Sequence, residues 1–300
     1  MQLRECEERL DLTQETSGVA ETGAWRVPSP DSRAYSSGAS MVPAQRATLR
    51  RLLAGPRLVT RYQPMVDMRT RQTVVMEALV RLNLSRHTTL FPGDFLPQVE
   101  STGLAADLTD AVVSRALGDW AALASLRKRP MLSINFSLDV LLSPLALDRL
   151  EQRRIAARLP AASILIELTE SRPVDDLLRL RESVVRVRDA GYPIALDDIT
   201  PSVPHLESLI DMPFTDLKLD KAVIQAAPHW PDAVKFIQRI VARAEERGVS
   251  VTAEGVEDDA TWIMMHGLGI QYAQGFLISS PMRAEDIPGW LTEWKSRRKI

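Results

Sequence analysis

Residues 73–79 read Thr-Val-Val-Met-Glu-Ala-Leu, an apolar and β-branched run that meets an acid at Glu77. The same event recurs along the chain: a short hydrophobic run of strand-like composition ends, and it ends at an acid, an amide or a lysine. The positions, in chain order, are Glu77, Asn135, Glu167, Asp197 with Asp198, Lys218, Glu254 and Gln274. Because a parallel barrel brings the carboxyl ends of its strands to one face, we expect these polar groups to lie together.

The order of the elements favours a barrel. From about residue 45 strand-like runs alternate with amphipathic helical segments, which is typical of a parallel sheet covered by helices. The turn-like residues 67–70, between the runs Leu58–Pro64 and Thr73–Leu82, predict a hairpin. About eight strands favour closure into a (β/α)8 barrel. An open doubly wound sheet is the alternative, but it usually needs a glycine-rich phosphate loop after its first strand, and this sequence has none.

The chain has 300 residues, enough for one barrel of roughly 250 residues and an extension. Residues 1–44 are rich in Glu, Ser, Thr, Gly and Pro and poor in aliphatic residues. We therefore predict a largely disordered N-terminal extension over residues 1–44 and one α/β barrel domain over residues 45–300.

Composition restricts the kinds of binding partner and the cellular compartment that we expect. The net charge of −2 gives no overall electrostatic reason to bind a nucleic-acid polymer or a membrane surface. No run approaches the ~18 apolar residues that span a bilayer, and no signal peptide is visible. The single cysteine, Cys6, cannot form an intramolecular disulfide, which fits a reducing compartment. We expect a cytoplasmic protein without a membrane segment.

The acids at the strand ends predict a metal site. Carboxylates held close together repel one another and take up protons unless a cation neutralises them. Oxygen donors favour Mg²⁺ or Mn²⁺ over zinc. One ion could bind Glu77, Asn135, Glu167 and Asp197, and Asp197 with Asp198 could help to hold a second ion. Two such ions activate water and stabilise the attacking and leaving oxygens when a phosphodiester is displaced.

Two further residues complete this chemistry, and each has an ordinary alternative. Lys218 would orient the water or neutralise developing charge, and Glu254 would be a further ligand or a general base. An acid at a strand end is also often a helix N-cap, and Lys218 could simply pair with Asp216 or Asp220. The ordinary interpretations are independent of one another, whereas a metal site explains the whole set. We therefore favour the metal site.

The chain also resembles a known family from about Leu53 to Trp294. The matching stretches are Tyr62-Gln-Pro-Met-Val-Asp, Glu77-Ala-Leu-Val-Arg81, Pro92–Leu104, Ser133-Ile-Asn-Phe-Ser137, Glu167-Leu-Thr-Glu170, Leu196-Asp-Asp198, Leu217-Lys-Leu-Asp220, Ala253-Glu-Gly-Val-Glu257 and Gln274-Gly-Phe. In these stretches the chain is similar to the EAL family of cyclic di-GMP phosphodiesterases, and their order and spacing make the resemblance specific.

The resemblance implies a modified barrel whose first strand runs antiparallel to its neighbour. It implies that one or two Mg²⁺ or Mn²⁺ ions assist the opening of cyclic di-GMP to linear pGpG, and that the protein is a homodimer through the loop and helix after Asp198. The implied metal ligands are Glu77, Asn135, Glu167, Asp197 and, for a second ion, Asp198. Lys218 matches the water-positioning lysine and Glu254 the proposed base. Gln63, Arg81 and Gln274 match substrate-binding positions, and Glu170 matches the acid that anchors the loop after the Asp pair.

The loop after Asp198 departs from the family pattern. The family continues with Phe-Gly-Thr-Gly, whereas this chain continues with Ile199-Thr-Pro-Ser-Val-Pro204. Glycine permits positive φ, and proline fixes φ and removes a donor, so this loop must be built differently. The alternative function is therefore a catalytically weak or inactive receptor for cyclic di-GMP, or a protein-interaction module. A different metal-dependent reaction on the same barrel is a third interpretation.

Overall fold

A computed structural model describes residues 43–85, 87–124, 126, 128–169 and 176–297. The predicted N-terminal extension therefore lies outside the described residues, except for its last two positions. Those two belong to the first helix, which begins at Pro43. The predicted loop-anchoring acid, Glu170, also lies outside the described residues.

The described residues alternate between strands and helices. The strands are β1 (Leu58–Asp67), β2 (Thr73–Asn83), β3 (Thr89–Leu90), β4 (Met131–Ser137), β5 (Ile164–Thr169), β6 (Ile194–Ile199), β7 (Asp216–Leu219), β8 (Ser250–Ala253) and β9 (Tyr272–Gln274). The helices are α1 (Pro43–Ala54), α2 (Pro92–Ser101), α3 (Ala105–Ala122), α4 (Leu138–Leu141), α5 (Pro144–Ala156), α6 (Leu177–Asp189), α7 (Leu206–Ile210), α8 (Lys221–Ala226), α9 (Pro231–Arg247), α10 (Asp259–Gly267) and α11 (Ile287–Arg297). Among the described residues no helix is both long and apolar enough to cross a membrane.

Eight of these strands close into a barrel. The order around the sheet is β1-β9-β8-β7-β6-β5-β4-β2, and β1 pairs back to β2, while the two-residue β3 extends the free edge of β2. Strand β1 runs antiparallel to both β2 and β9, whereas the pairs from β2 round to β9 are parallel. The predicted hairpin and the antiparallel first strand of a modified barrel are confirmed.

Alternation along the strands divides the barrel interior into two layers. Residues such as Tyr62, Met76 and Ala78 face outward and join the main hydrophobic core beneath the helices. The lower interior layer is a separate apolar cluster formed by Met65, Val75, Leu165 and Ala195. The upper interior layer is polar and consists of Gln63, Glu77, Asn135, Glu167, Asp197, Lys218, Glu254 and Gln274.

Several element boundaries differ from the sequence-based expectation. Glu77 lies in the middle of β2 rather than at its end, because β2 continues to Asn83 as the antiparallel partner of β1. The sequence pattern after β6 favours a helix from residue 203, but α7 begins at Leu206, because Pro204 and a left-handed His205 (φ 56°) separate it from β6. The short α4, α8 and β3 were not predicted, since pieces of two to six residues carry too little periodicity to detect.

Candidate active site

A fully buried lysine, Lys218, lies at the centre of the upper layer. It is the third residue of β7, where alternation turns its side chain into the barrel. Its Nζ lies 3.1 Å from Glu167 Oε2, 2.9 Å from Asp197 Oδ1 and 2.6 Å from Glu254 Oε1. These acids come from β5, from β6 and from the residue after β8. The lysine therefore holds together carboxylates that are distant in sequence.

The two acids next to Lys218 in sequence have other partners. Asp216 accepts a hydrogen bond from Thr252 Oγ1 (2.9 Å) at the lower end of β7. Asp220 caps α8 by accepting a hydrogen bond from the backbone N–H of Ala222 (2.7 Å). The ordinary interpretation of Lys218 as a local ion pair with either acid is therefore wrong.

Two side-chain amides hold Glu77. Asn135 Nδ2 donates to Glu77 Oε1 (2.8 Å), and Gln274 Nε2 donates to Glu77 Oε2 (2.7 Å). The same Gln274 nitrogen lies 3.3 Å from Gln63 Oε1, and Gln63 Nε2 donates to the carbonyl oxygen of Ser279 (3.1 Å). This chain of amides follows the seam where β1 meets β2 and β9. Because both amides present N–H groups to it, Glu77 is held as an anion.

Three carboxylates form a compact acidic group at the barrel mouth. Asp197, Asp198 and Glu254 each offer one oxygen, and these oxygens lie within 4.8 Å of one another. Asp198 has a left-handed backbone (φ 54°), and its N–H donates to Asp197 Oδ1 (3.0 Å). This conformation is uncommon for residues other than glycine, although aspartate tolerates it better than most. Asp197 is buried and Asp198 is exposed, so the pair presents acid both inside the barrel and at its mouth.

The charges of the upper layer shift the pKa values of its members. Burial acts to lower the pKa of Lys218, but the charges of Asp197, Glu167 and Glu254 outweigh burial and raise it well above its usual range. Burial acts to raise the pKa of Glu77, but the Lys218 charge and the amide hydrogen bonds hold it below the usual range. Lys218 and Glu77 are therefore both charged at neutral pH.

The other acids are not fully neutralised by one lysine. Burial raises the pKa of Glu167 and of Glu254 well above the usual range, and the Lys218 charge opposes this only in part. Burial also raises the pKa of Asp197. The side chain of Asp198 reaches the surface, but the protein around its carboxyl group partly excludes water, and this desolvation together with the adjacent Asp197 charge raises its pKa to about 7. The group therefore retains protons or needs a further cation.

The residues present fit a divalent cation with oxygen ligands. Among the described residues, Glu167 Oε1 is a buried acceptor without a hydrogen bond. This oxygen and the acidic group of Asp197, Asp198 and Glu254 are the donors that Mg²⁺ and Mn²⁺ prefer. Both oxygens of Glu77 already accept from amides, so Glu77 would have to exchange those hydrogen bonds to bind an ion directly.

A cavity of about 440 Å³ opens above these groups. Its floor is polar and includes Glu77, Asn135, Asp197 and Glu254. One wall is apolar and is formed by side chains of α2 and α3, which are Leu96, Val99, Leu108 and Val112. An acidic floor beside an apolar wall suits a ligand that has a flat ring and an anionic group bound to the floor through a cation.

Nine of the predicted site residues lie together in the structure. They are Gln63, Glu77, Asn135, Glu167, Asp197, Asp198, Lys218, Glu254 and Gln274. Arg81 is not among the residues that line the cavity. Its guanidinium lies over the exposed ring of Phe91, 4.9 Å from the ring centroid, and it donates to the Val80 carbonyl oxygen (2.7 Å). Arg81 thus sits beyond the floor, on the part of β2 that continues past the barrel.

Comparison with known proteins agrees with this geometry. The family model of the EAL domain matches residues 46–281, which is most of the chain. The chain belongs to the EAL family.

Two EAL relatives from Pseudomonas aeruginosa have named activities. The cyclic di-GMP phosphodiesterase PA2567 is 28% identical over 230 residues, which are 77% of this chain and 39% of that protein. The cyclic di-GMP phosphodiesterase RocR is 30% identical over 221 residues, which are 74% of this chain and 56% of that protein. The chain therefore spans about half or less of the length of these curated relatives.

A solved EAL structure shows the same fold. The PaMucR phosphodiesterase in complex with c-di-GMP has a TM-score of 0.75 and 28% identity, over 81% of this chain and 99% of that chain. The EAL domain of Mycobacterium smegmatis DcpA has a TM-score of 0.66 at 24% identity, covering 80% of this chain and 97% of that chain, which concerns the fold alone.

The loop after the Asp pair is shaped without glycine in this EAL chain. Val203 N–H donates to the Thr200 carbonyl oxygen (3.2 Å), and the hydroxyls of Thr200 and Ser202 lie 2.8 Å apart. The left-handed residue that leads into α7 is His205. The loop is thus a turn closed by its own side chains, and the effect of this change on the site stays a prediction.

Sequence reasoning missed some residues of the EAL site. Thr169 Oγ1 donates to Asn135 Oδ1 (3.0 Å) and so orients the amide that holds Glu77. Thr169 follows Glu167 by two residues on the same strand, and that alternation was a usable signal. The apolar wall gave no signal of its own, because its residues have the spacing of ordinary helix core positions.

Proposed function

We propose that this chain hydrolyses cyclic di-GMP to linear pGpG with the help of one or two Mg²⁺ or Mn²⁺ ions. The observation that carries the proposal is the set of acids around Lys218, of which Asp197 and Glu254 reach the floor of the cavity. Glu167, Asp197 and Glu254 share a single lysine, and Asp198 adds a further carboxylate at the mouth. The likeness to named cyclic di-GMP phosphodiesterases and to a c-di-GMP complex supports the choice of substrate.

The ions would be held by Glu167, Asp197 and Asp198, with Glu77 and Asn135 adjacent as further ligands and Glu254 beside them as the base. When bound, such ions lower the pKa of water and offset the charge of a phosphodiester. The acids of the chain bring the ion to the floor, and the apolar wall of the cavity accommodates a purine ring.

The protein groups supply the remaining steps. Glu254 would accept the proton of the attacking water, because burial and its acidic neighbours raise its pKa and make it a stronger base than a free carboxylate. The water oxygen forms a bond to phosphorus, the bond from phosphorus to one ribose 3′ oxygen breaks, and that oxygen takes up a proton from solvent. Lys218, buried and charged, offsets the negative charge that develops on the phosphoryl oxygens. Gln274 and Asn135 fix Glu77, and Gln63 fixes Gln274, so these amides keep the floor rigid.

A second candidate is an EAL-type receptor that binds cyclic di-GMP, or a protein partner, with little turnover. The turn at residues 199–205 favours it, because this turn lacks both family glycines and directly follows Asp198. A displaced Asp198 would weaken a second ion site while leaving the cavity intact. Binding and hydrolysis separate the two candidates.

The test incubates the full chain with cyclic di-GMP and Mn²⁺ and follows the products by chromatography. We expect pGpG to appear, to be prevented by EDTA, and to fall by about a thousandfold or more in Glu77→Ala, because loss of that carboxylate frees two amides in the floor. Glu182→Ala, an exposed acid on α6, is the matched control and should retain wild-type turnover.

The outcomes divide cleanly. Binding in the micromolar range without pGpG over hours establishes the receptor and overturns the enzyme. Turnover that persists in Glu77→Ala shows that the floor acids are wrongly assigned. Turnover that is unaffected by EDTA removes the metal from the mechanism.

The proposal also covers the bounds of the domain, the oligomeric state and the cellular compartment. We assign residues 45–300 to the EAL barrel and place the protein in the cytoplasm, where a single cysteine is unremarkable. A homodimer through the turn at residues 199–205 and α7 follows the family pattern. Sedimentation equilibrium of the full chain tests the dimer, and a monomer at all concentrations contradicts it.

A further inference from the structure

Among the described residues, six carboxylates and one basic side chain line the cavity. The basic side chain is that of Lys221, the first residue of α8. The carboxylates are those of Glu77, Glu100, Asp197, Asp198, Glu254 and Glu257. A phosphodiester that enters this cavity therefore meets mostly like charge, and Lys221 is the protein cation at the wall that can attract it.

The ammonium group of Lys221 is not engaged by the protein. Lys221 is exposed, and in the part of the chain that the structure describes its side chain forms neither an ion pair nor a hydrogen bond. Lys218, three residues earlier, is fully buried and lies 3.1 Å or less from three carboxylates. The two lysines therefore differ in what they can bind. Lys218 is occupied by acids, whereas Lys221 is open to an anion that arrives from solvent.

The backbone next to Lys221 is held against the segments that carry the acids. Asp220 N–H donates to the carbonyl oxygen of Ile199, the residue after the Asp pair (3.2 Å). Glu254 N–H donates to the carbonyl oxygen of Leu219 (3.1 Å). The start of α8 is thus tied to both acid-bearing segments at the barrel mouth.

Gly255 brings the side chain of Lys221 close to Glu254. A β carbon at residue 255 would lie 2.4 Å from Lys221 Cβ, which is closer than two non-bonded carbons approach, and Gly255 has a φ of 66°. Glycine is therefore needed both for the contact and for the backbone conformation. The side chain of Lys221 consequently begins beside the residue that follows Glu254, and its flexible stem lines the cavity from there.

The position of Lys221 identifies the phosphate that it can reach. In the proposed hydrolysis Glu254 is the base for the attacking water, so the phosphodiester that is cleaved must lie close to Glu254. An ammonium group is a compact charge that suits a single phosphate oxygen. We propose that Lys221 binds a non-bridging oxygen of the phosphodiester that is cleaved. This inference rests on the proposed function, and Lys221 lies one residue beyond the family stretch Leu217-Lys-Leu-Asp220.

The test isolates the phosphate that is cleaved. Hydrolysis leaves that group as the 5′-phosphate of pGpG, whereas the dinucleotide GpG lacks it and keeps the other phosphodiester. The affinities of pGpG and of GpG are measured by competition with cyclic di-GMP in Mn²⁺, for the full chain and for its Lys221→Met variant. We expect Lys221→Met to weaken pGpG about tenfold or more, as for a lost charge-assisted hydrogen bond, and to leave GpG nearly unchanged.

Turnover gives a second measurement. KM for cyclic di-GMP should rise by a similar factor in Lys221→Met while kcat changes less, because the phosphodiester is charged both when it binds and during the displacement. Lys221→Arg should restore most of the affinity. The denaturant midpoint of Lys221→Met should equal that of wild type, because the exposed side chain has no described partner to lose.

The matched control is Lys235→Met, which removes the same charge from an exposed position on α9. A loss of pGpG affinity in Lys235→Met as large as in Lys221→Met would mean that only overall charge matters, and would overturn the inference. An unchanged affinity for pGpG in Lys221→Met, or an equal loss for pGpG and GpG, overturns it while leaving the proposed hydrolysis intact.

The competition assay applies equally to a wild-type chain that binds cyclic di-GMP without turnover, and the same outcomes decide. A wild-type chain that neither binds nor cleaves cyclic di-GMP overturns the proposed function, and this inference with it.

Discussion

The two layers inside the barrel differ in chemistry although they are built from the same strands. On each strand, the interior residue of the lower layer and that of the upper layer are two positions apart in sequence. The pairs, with the lower residue first, are Met65 and Gln63, Val75 and Glu77, Leu165 and Glu167, Ala195 and Asp197, Asp216 and Lys218, and Tyr272 and Gln274. The lower layer is mainly apolar, with Asp216 as its buried acid, and closes the barrel by burying surface. The upper layer holds charged groups, and each is stable in the interior only because the others compensate its charge.

The difference separates two ways of stabilising an interior. Apolar side chains contribute through burial alone and tolerate changes in their neighbours if volume is kept. Buried ions contribute only when each is compensated, since desolvation of an unpaired charge costs several kcal/mol. A substitution in the upper layer should therefore change the energies of its neighbours, whereas the effects of substitutions in the lower layer should be nearly independent of one another.

The largest expected effect is the loss of the buried cation. Lys218→Met should destabilise the fold by about 3–5 kcal/mol, because Glu167, Asp197 and Glu254 lose their shared partner. Loss of the lysine raises their pKa values further, so the folded variant binds more protons than its unfolded chain. Its unfolding free energy should then fall as pH rises, and the deficit relative to wild type should be larger at pH 8 than at pH 5.5.

Denaturant unfolding in EDTA at the two pH values measures this deficit. Lys235→Met, an exposed lysine on α9, is the control and should change stability little at either pH. A deficit for Lys218→Met that is the same at both pH values would show that the acids do not depend on the lysine.

A smaller effect is expected one pleat below. Leu165→Ala removes a buried side chain from the lower layer and should cost about 2–4 kcal/mol, by lost transfer energy and the cavity left behind. Because no charge changes, the cost should be the same at pH 5.5 and pH 8, and the variant that remains folded should keep its affinity for cyclic di-GMP. Calorimetric binding alongside the unfolding curves checks both statements, and a pH-dependent cost would mean that the two layers are coupled.

Much of this contrast was readable from the sequence. Runs such as Ile164-Leu-Ile-Glu and Ile194-Ala-Leu-Asp place an apolar residue two positions before an acid, and alternation carries both to the barrel interior. The closure of the barrel followed from the number of strands, and the hairpin of β1 and β2 from one turn. The face of a strand on which a side chain lies is predictable, because successive side chains alternate between the two faces.

Contacts between distant side chains were not predictable in the same way. Sequence spacing suggested that Lys218 could pair with Asp216 or Asp220, yet its partners come from three other segments of the chain. The register between neighbouring strands decides such contacts, and register depends on the whole barrel. The chain gave no sign that Glu77 would be held by amides or that α2 and α3 would wall the cavity.

Asp216 is the exception in the lower layer and gives the smallest predicted effect, with the opposite sign. It is buried, and burial raises its pKa to about 6 in spite of the hydrogen bond from Thr252. In the unfolded chain an aspartate titrates near pH 4, so between about pH 4 and 6 the folded state binds more protons, and the stability of the fold falls as pH rises through this window.

Asp216→Asn removes this dependence and keeps an oxygen that can accept from Thr252. Relative to wild type, the variant should therefore gain on the order of 2 kcal/mol of stability between pH 4 and pH 7. Thermal or urea unfolding at the two pH values, with the exposed Asp189→Asn of α6 as the control, measures the gain. If the difference between Asp216→Asn and wild type is the same at both pH values, then Asp216 titrates normally and the lower layer already compensates its charge. If the gain appears, ionisation of Asp216 lowers the free energy of unfolding because no cation compensates its charge in the lower layer. The acids of the upper layer can stay ionised because Lys218 compensates them.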